Sequence, residues 1–379
     1  MDFELNEDQR MIKEATRDFA QEKLAPLAQE FDEKEKIPKE IYKELADLGY
    51  MGMLLPEKYG GSNLDFISYI LAMEEFAKAC AALEISISVH NSLVCDAIFH
   101  FATEKQKEKY LPRLAKGEWI GAYSLTEPSA GTDAGSLKTT AILKGDHFLV
   151  NGTKSFVSNG EIADVFIIFV LTNPEAKSKG ISCLIVEKGT EGFSVGAREK
   201  KMGLRGSDTT ELSFEDCKIP RENLLSEENK GFKLALTLLD PSRIAVGAQS
   251  IGIAQAAFDE ALEYSKQRVQ FGQAICNFQA IQFKLADMAT QIEAARLLVY
   301  RAAYLKTKNQ RCSIEAAMAK VFASEVANMV VNEAVQIHGG YGYMKEYAVE
   351  RYFRDARVTE IYEGTSEAQR IVISRGLLR

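Results

Sequence analysis

Val165-Phe166-Ile167-Ile168-Phe169-Val170 is an unbroken run of β-branched and aromatic side chains, the composition of a strand. Similar runs surround it: Phe148-Leu149-Val150, Ile181 to Val186 and Glu211-Leu212-Ser213-Phe214. Gly145-Asp146, Asn151-Gly152, Asn159-Gly160 and Gly189 fall between them as turn signals. Together they predict a β domain over residues 138–217, closed by Ile219-Pro220.

Outward from this block the pattern is helical on both sides. From Asn6 to about Ile120, Asn6 and Gln9 form a prospective capping box, with Glu7 and Asp8 placed for the helix dipole. Met11, Ile12, Ala15 and Phe19 make one apolar stripe, which Pro26 interrupts at a kink or a helix end. Pro56, Gly60 and Gly61 mark a loop, and the apolar run ISISVHNSLVCDAIFHF (85–101) predicts a buried helix. After Gly231, Ile281, Leu285, Met288, Ile292, Ala295 and Val299 step by 4, 3, 4, 3 and 4, a bundle-type seam expected to be shared between subunits. A further helix is expected from Ile314 to Val335. The chain is therefore a multi-domain α and β protein: an N-terminal α-helical domain over 1–120, a central β domain over 121–230, and a C-terminal α-helical bundle over 231–379.

Composition excludes several functions. Among 379 residues, 46 Lys+Arg against 54 Asp+Glu give a net charge of −8 without a basic block, a poor match to a phosphate backbone. No apolar run approaches the ~18 residues of a membrane span, and the start at Met1 runs into helical pattern without a signal or transit segment. The expectation is a cytoplasmic chain, with a processed mitochondrial form left open. Six cysteines (Cys80, Cys95, Cys183, Cys217, Cys276, Cys312) and four histidines are scattered, so no zinc or iron–sulfur site is expected and the thiols read as reduced.

No Rossmann, P-loop or G-x-S-x-G signature is present. Three polar, glycine-bearing segments stand out instead: YSLTEPSAGTDAGS (123–136), QIHGGYGY (336–343) and IYEGTSE (361–367). Small residues let a planar ligand approach backbone N–H groups, although such stretches are more often plain loops.

In this α/β/α order, these segments and QRVQFG (267–272) followed by Gln279 resemble the acyl-CoA dehydrogenase flavoproteins, most of all the short-chain type, over essentially the whole chain. The resemblance implies a barrel-like central β domain and a C-terminal four-helix bundle. It implies bound FAD, an acyl-CoA substrate, electron-transferring flavoprotein as acceptor, and a homotetramer built as a dimer of dimers. Glu363 takes the place of the base that abstracts the α-proton while the β-hydrogen leaves as hydride; burial would raise its pKa from about 4.3. Read without the family, Glu363 is an ordinary solvated loop carboxylate.

The resemblance further assigns Tyr123, Leu125 and Thr126 to the flavin ring and Thr132 to substrate. Phe156-Val157-Ser158 stands where the family usually has Trp-Ile-Thr, so Ser158 keeps a hydroxyl and Phe156 an aromatic face. Arg268, with Phe271 and Gln279, would reach FAD across a subunit boundary; Gln336, Gly339 and Gly340 match its adenine and pyrophosphate segment. Thr365 and Glu367 match contacts after the base, and Gly364 adjoins substrate. Asp240 and Arg243 match CoA contacts, although three residues apart on a helix they could pair with each other. His338 reads as structural.

The acyl pocket is expected along Ile85, Ser86, Val89, His90, Asn91 and Leu93. No arginine occurs from Ala82 to Asn91 to meet a dicarboxylic substrate, and Glu84 would repel one, which favours a neutral short acyl chain, linear, branched or alicyclic. The alternatives are a flavin oxidase or glutaryl-CoA-type enzyme on the same scaffold, or a non-catalytic scaffold protein.

Overall fold

A computed structural model describes residues 4–378; the reading of the first three residues, and of Arg379, falls outside them. The N-terminal region is helical: α1 (Glu7–Phe19), α2 (Ala28–Lys34), α3 (Lys39–Asp47), α4 (Phe66–Ser88), α5 (Asp96–Phe101) and α6 (Glu104–Ala115). The Asn6–Gln9 capping box is formed in both directions. At Pro26 the chain stays helical through a π turn (Ala20–Leu24) and a 3₁₀ turn (Ala25–Leu27), so the interruption is a kink rather than an end. A π turn over Val89–Cys95 similarly joins α4 to α5; 85–95 are buried as expected, whereas in α5 only Ala97 and Ile98 are.

Eight strands follow: β1 (Gly121–Ser124), β2 (Thr140–Lys144), β3 (His147–Ser158), β4 (Val165–Leu171), β5 (Ile181–Glu187), β6 (Phe193–Arg198), β7 (Thr209–Pro220) and β8 (Leu224–Leu225). They form one sheet in the order β6-β7-β3-β2-β4-β5-β8, with β1 added parallel to β4. The run 165–170 is apolar throughout because both of its faces are covered. Val165, Ile167 and Phe169 join the large core made with the helices. Phe166, Ile168 and Val170 join a second core with Phe148, Val150, Phe214 and Ile219 on the sheet's other side.

The C-terminal region holds α7 (Gly231–Gln267), a short hairpin of β9 (Val269–Gln270) and β10 (Gln273–Ala274), α8 (Gln279–Thr307), α9 (Ser313–His338), α10 (Val349–Ala356) and α11 (Ser366–Leu377). Helices α7, α8 and α9 pack on one another, α11 lies on α9, and α4 packs across α7.

One expectation is corrected here. On the α8 seam, Met288, Ile292, Ala295 and Val299 are fully buried inside this single chain, and a Cβ on Gly247 of α7 would lie 2.7 Å from Val299 Cγ2. Close helix packing within the chain has used that stripe. The side of α8 left uncovered carries Phe283, Leu297 and Tyr304, spaced by multiples of seven and therefore on one face.

Candidate active site

Glu363 lies in the loop between the 3₁₀ turn Arg357–Glu360 and α11. Its φ is +51° and that of Gly364 is +94°; a left-handed pair reverses the chain tightly, and the non-glycine member carries strain of the kind found at functional sites. The reversal is pinned from below. Gln369 Nε2 donates to the carbonyls of Glu363 (3.1 Å) and Gly364 (2.8 Å), and Lys320 Nζ of α9 donates to the Gly364 carbonyl (2.8 Å). Thr365 caps α11 through the amide of Ala368.

The Glu363 residue is half-buried, but its carboxyl is enclosed by protein. Burial pushes its pKa up; Ser242 as hydrogen-bond donor, Arg243 and Lys320 oppose that without cancelling it. The Tyr123 hydroxyl is buried with no hydrogen-bond partner among the described residues, its ionisation suppressed by burial and then by Glu363. An unpaired buried hydroxyl costs about 1–3 kcal/mol, the mark of a place completed by something outside the chain.

Two strand ends make the opposite wall. Tyr123 is the next-to-last residue of β1, Leu125 and Thr126 follow the strand half-buried, and the Thr126 carbonyl accepts from Ser155 N on β3 (2.9 Å). The β3–β7 register slips between Lys154 and Val157. In that bulge Phe156 has φ +57° and is 68% exposed; a bulge re-aims one side chain without ending the strand. Ser158 stands half-buried two residues on, and Thr132 is exposed on the loop beyond.

The brace behind this wall was not read from the sequence. Lys154 is wholly buried and donates to Glu127 Oε1 (2.8 Å) and more weakly to the Leu125 carbonyl (3.4 Å). Glu127 also accepts from the amides of Lys138 (2.5 Å) and Thr139 (2.9 Å). Burial would raise its carboxyl, but Lys154 and these donors hold it below the ordinary range. Charged residues inside a β run and a loop were the available signal.

The expected acyl-pocket helix is used differently at its polar positions. His90 Nε2 donates to the Met51 carbonyl (3.0 Å), while its Nδ1 accepts from Gly121 N (3.1 Å). Asn91 binds the backbone of Tyr50, Met53 and Ile87. Both are structural pins. Glu84 is fully buried with both carboxylate oxygens unpartnered, and burial raises its pKa well above the ordinary range. Burial thus favours its uncharged form over the charge the sequence reading gives it, and no arginine lies between Ala82 and Asn91 to meet a distal carboxylate. Beside Glu84, Gln249 accepts from the Tyr362 hydroxyl and donates to the Ala81 carbonyl (3.2 Å), tying Tyr362 to α4.

Asp240 and Arg243 pair with each other (2.9 Å), and Ser313 also donates to Asp240. Arg268, Gly339 and Gly340 assemble elsewhere, lining a cavity of about 500 Å³ with Tyr264, Gln270, His338 and Tyr341. None of Tyr123, Phe156, Ser158 or Glu363 lines it. Arg268 lies over the Tyr341 ring (5.3 Å) and forms no ion pair among the described residues, and a Cβ on Gly339 or Gly340 would meet nothing within 4 Å. Gln336 is exposed on the last turn of α9 and Glu367 on the first turn of α11. Phe271, φ +51°, stands 94% exposed at the tip of the β9–β10 hairpin, with Gln279 exposed nearby. His338 stacks on Tyr264 (4.2 Å) and donates to the Ala334 carbonyl (2.8 Å), a structural role.

Three family models match successive parts of the chain: the acyl-CoA dehydrogenase N-terminal domain over residues 6–118, the middle domain over 122–217 and the C-terminal domain over 229–378. The chain belongs to the acyl-CoA dehydrogenase family. A short-chain-specific acyl-CoA dehydrogenase of Clostridium acetobutylicum is 49% identical over 379 residues, the full length of both chains. The butyryl-CoA dehydrogenase structure from Megasphaera elsdenii matches with a TM-score of 0.98 at 50% identity, covering all of both chains. A solved chain from work on the electron transferring flavoprotein of Acidaminococcus fermentans and flavin-based electron bifurcation matches with a TM-score of 0.98 at 51% identity, again over all of both.

As an acyl-CoA dehydrogenase, the protein is an FAD-dependent oxidoreductase. Its own residues fit that cofactor: an outward aromatic ring at Phe156, hydroxyls at Thr126 and Ser158, an ion-pair-free arginine and a glycine pair open to close approach.

Proposed function

We propose that this acyl-CoA dehydrogenase oxidises a short, uncharged acyl-CoA between Cα and Cβ, with Glu363 as the base and electron-transferring flavoprotein as electron acceptor. Bound FAD supplies the acceptor for the β-hydride. The α-C–H of a thioester is a very weak acid, so a carboxylate can serve only if it is strengthened and the developing enolate is stabilised. The enclosed Glu363 carboxyl, with its raised pKa, is the observation that carries this reading. Its oxygen takes the α-proton; the left-handed turn keeps it facing the end of β1, while the Phe156 and Ser158 wall orients the planar cofactor. Thr132 and Gly364 would meet substrate, and the stretch from Ala82 to Asn91 offers no arginine to a distal carboxylate.

The named relatives support the short acyl chain, and the Acidaminococcus work supports the electron acceptor. In one chain the Arg268–Gly340 cavity and the Glu363 wall share no lining residues. We infer that Arg268, Phe271, Gln279, Gln336 and Gly339 serve cofactor held by another copy, in a homotetramer arranged as a dimer of dimers. Described cysteines without disulfides accord with a cytoplasmic, reducing setting.

Glu363→Gln tests the assignment. It should retain yellow FAD and bind butyryl-CoA, yet reduce flavin anaerobically at least ~100-fold more slowly, the lower end of what a positioned base contributes. Bleaching at the wild-type rate would remove Glu363 from its role.

A further inference from the structure

Lys320 is a lone cation in the apolar run Ala316–Ala323 of α9, and its side chain is 0% exposed. Burying an ammonium costs several kcal/mol unless something offsets it. The structure offers little for the purpose. Among the described residues no carboxylate lies within 4 Å of its Nζ, whose one hydrogen bond goes to the Gly364 carbonyl (2.8 Å). That carbonyl does not need it, because Gln369 Nε2 already donates there at 2.8 Å. Satisfying the backbone therefore does not explain a charge at this position.

The surroundings do. The charged groups facing Lys320 are Glu363 on the loop above it, Glu360 on the 3₁₀ turn, Arg243 on α7 and Glu367 on α11. Arg357 is paired with Glu360, and Glu367 is exposed. Of the two cations near Glu363, Arg243 is ion-paired with Asp240 at 2.9 Å, although its charge still lowers the Glu363 carboxyl ahead of that of Lys320. Lys320 alone has no carboxylate already bound to it. Burial lowers its pKa to about 8, opposed first by Glu363, so it is charged at neutral pH.

We propose that Lys320 is a positioning residue for the base, an ammonium sealed beneath the loop whose field holds Glu363 as a carboxylate in a site that would otherwise protonate it. The inference rests on Glu363 being the base. A weak carbon acid needs a base with a raised pKa, but one raised too far stays protonated at working pH. Burial pushes Glu363 one way, and a cation out of reach of its oxygens pushes it back without forming a bond that would have to break during proton transfer.

The test is anaerobic stopped-flow bleaching of the FAD-loaded enzyme by saturating butyryl-CoA from pH 5.5 to 9. Lys320→Met and Lys320→Gln remove the charge; Lys320→Gln keeps a donor for Gly364, and carries the test alone if Lys320→Met does not fold. Gln369→Leu removes the other donor to that carbonyl and leaves the charge. The midpoint of the acid limb should rise by about one pH unit in both Lys320 variants, in line with the effect of one nearby opposite charge, and stay in place in Gln369→Leu. Acid limbs superimposable on wild type in the lysine variants, or an equal shift in Gln369→Leu, would overturn the proposal. If Glu363→Gln bleaches flavin at the wild-type rate, the base assignment fails as well; if Glu363→Gln is inactive while the lysine variants keep the wild-type midpoint, only the role of Lys320 is lost.

Discussion

Glu363 has its backbone in a left-handed turn and its carboxyl surrounded by protein, and each feature has a consequence that can be measured. A base must be ionised, and burial raises this carboxyl, so flavin reduction should weaken as pH falls, with a midpoint above the ~4.3 of free glutamate. A midpoint at or below that value in the pH profile of single-turnover bleaching would contradict the enclosure. Glu84 makes a contrasting case. Burial raises its pKa well above the ordinary range, opposed only by the neutral Gln249 amide. Glu84→Gln should therefore change stability by no more than ~1 kcal/mol in urea titration, below the cost of a broken buried hydrogen bond. It should also leave glutaryl-CoA a poor substrate, because the stretch from Ala82 to Asn91 still offers it no arginine; ready turnover of glutaryl-CoA by that variant would return the discrimination to the charge of Glu84.

At the level of elements, two irregularities shape the site. The β3 bulge turns Phe156 outward where a regular pleat would have given alternate residues to the core. The buried Lys154–Glu127 pair then fastens the segment after β1 to β3. Truncating one partner leaves the other charged and uncompensated, which costs about 3–5 kcal/mol, whereas removing both with apolar residues costs far less. Lys154→Met should thus lose about that much in chemical denaturation and weaken FAD retention. Lys154→Met/Glu127→Leu should recover most of the stability. Equal losses in the single and double variants would show that the pair does not act as a unit.

Over the whole molecule, the Glu363 wall and the Arg268 cavity share no lining residues, and exposed apolar side chains stand on the hairpin after Arg268 and on α8. Phe271 and Phe283 are 94% and 63% exposed, an arrangement that suits contact with another copy better than solvent. Sedimentation of Phe271→Ser and Phe283→Asp should show dissociation from the wild-type assembly together with faster FAD loss on dilution. Retention of the wild-type sedimentation coefficient and flavin content by both would move the interface elsewhere. The seam Ile281–Val299 shows how little spacing says about a partner: Met288, Ile292, Ala295 and Val299 are buried within the chain, while Ile281 and Leu285 stay half-buried. Heptad spacing reports that a stripe will be buried but not what buries it, and here α7 and α9 of the same chain arrived first.

Local regularities were legible without a structure: the Asn6 cap, the strand runs with their turns, the helical order on either side, and the motif carrying Glu363. Each depends on neighbours a few residues apart, where propensity and periodicity act. The sequence also contained Lys154, Lys320 and Glu84, but as charged letters in apolar runs, with no sign of what each would face. Only the tertiary structure decided that Lys154 meets a carboxylate, that burial raises the Glu84 carboxyl, and that Lys320 donates to the Gly364 carbonyl. A charge in a low-dielectric interior takes its meaning from groups that may be hundreds of residues away, and burial, which sets both its cost and its reach, is a property of the packed molecule.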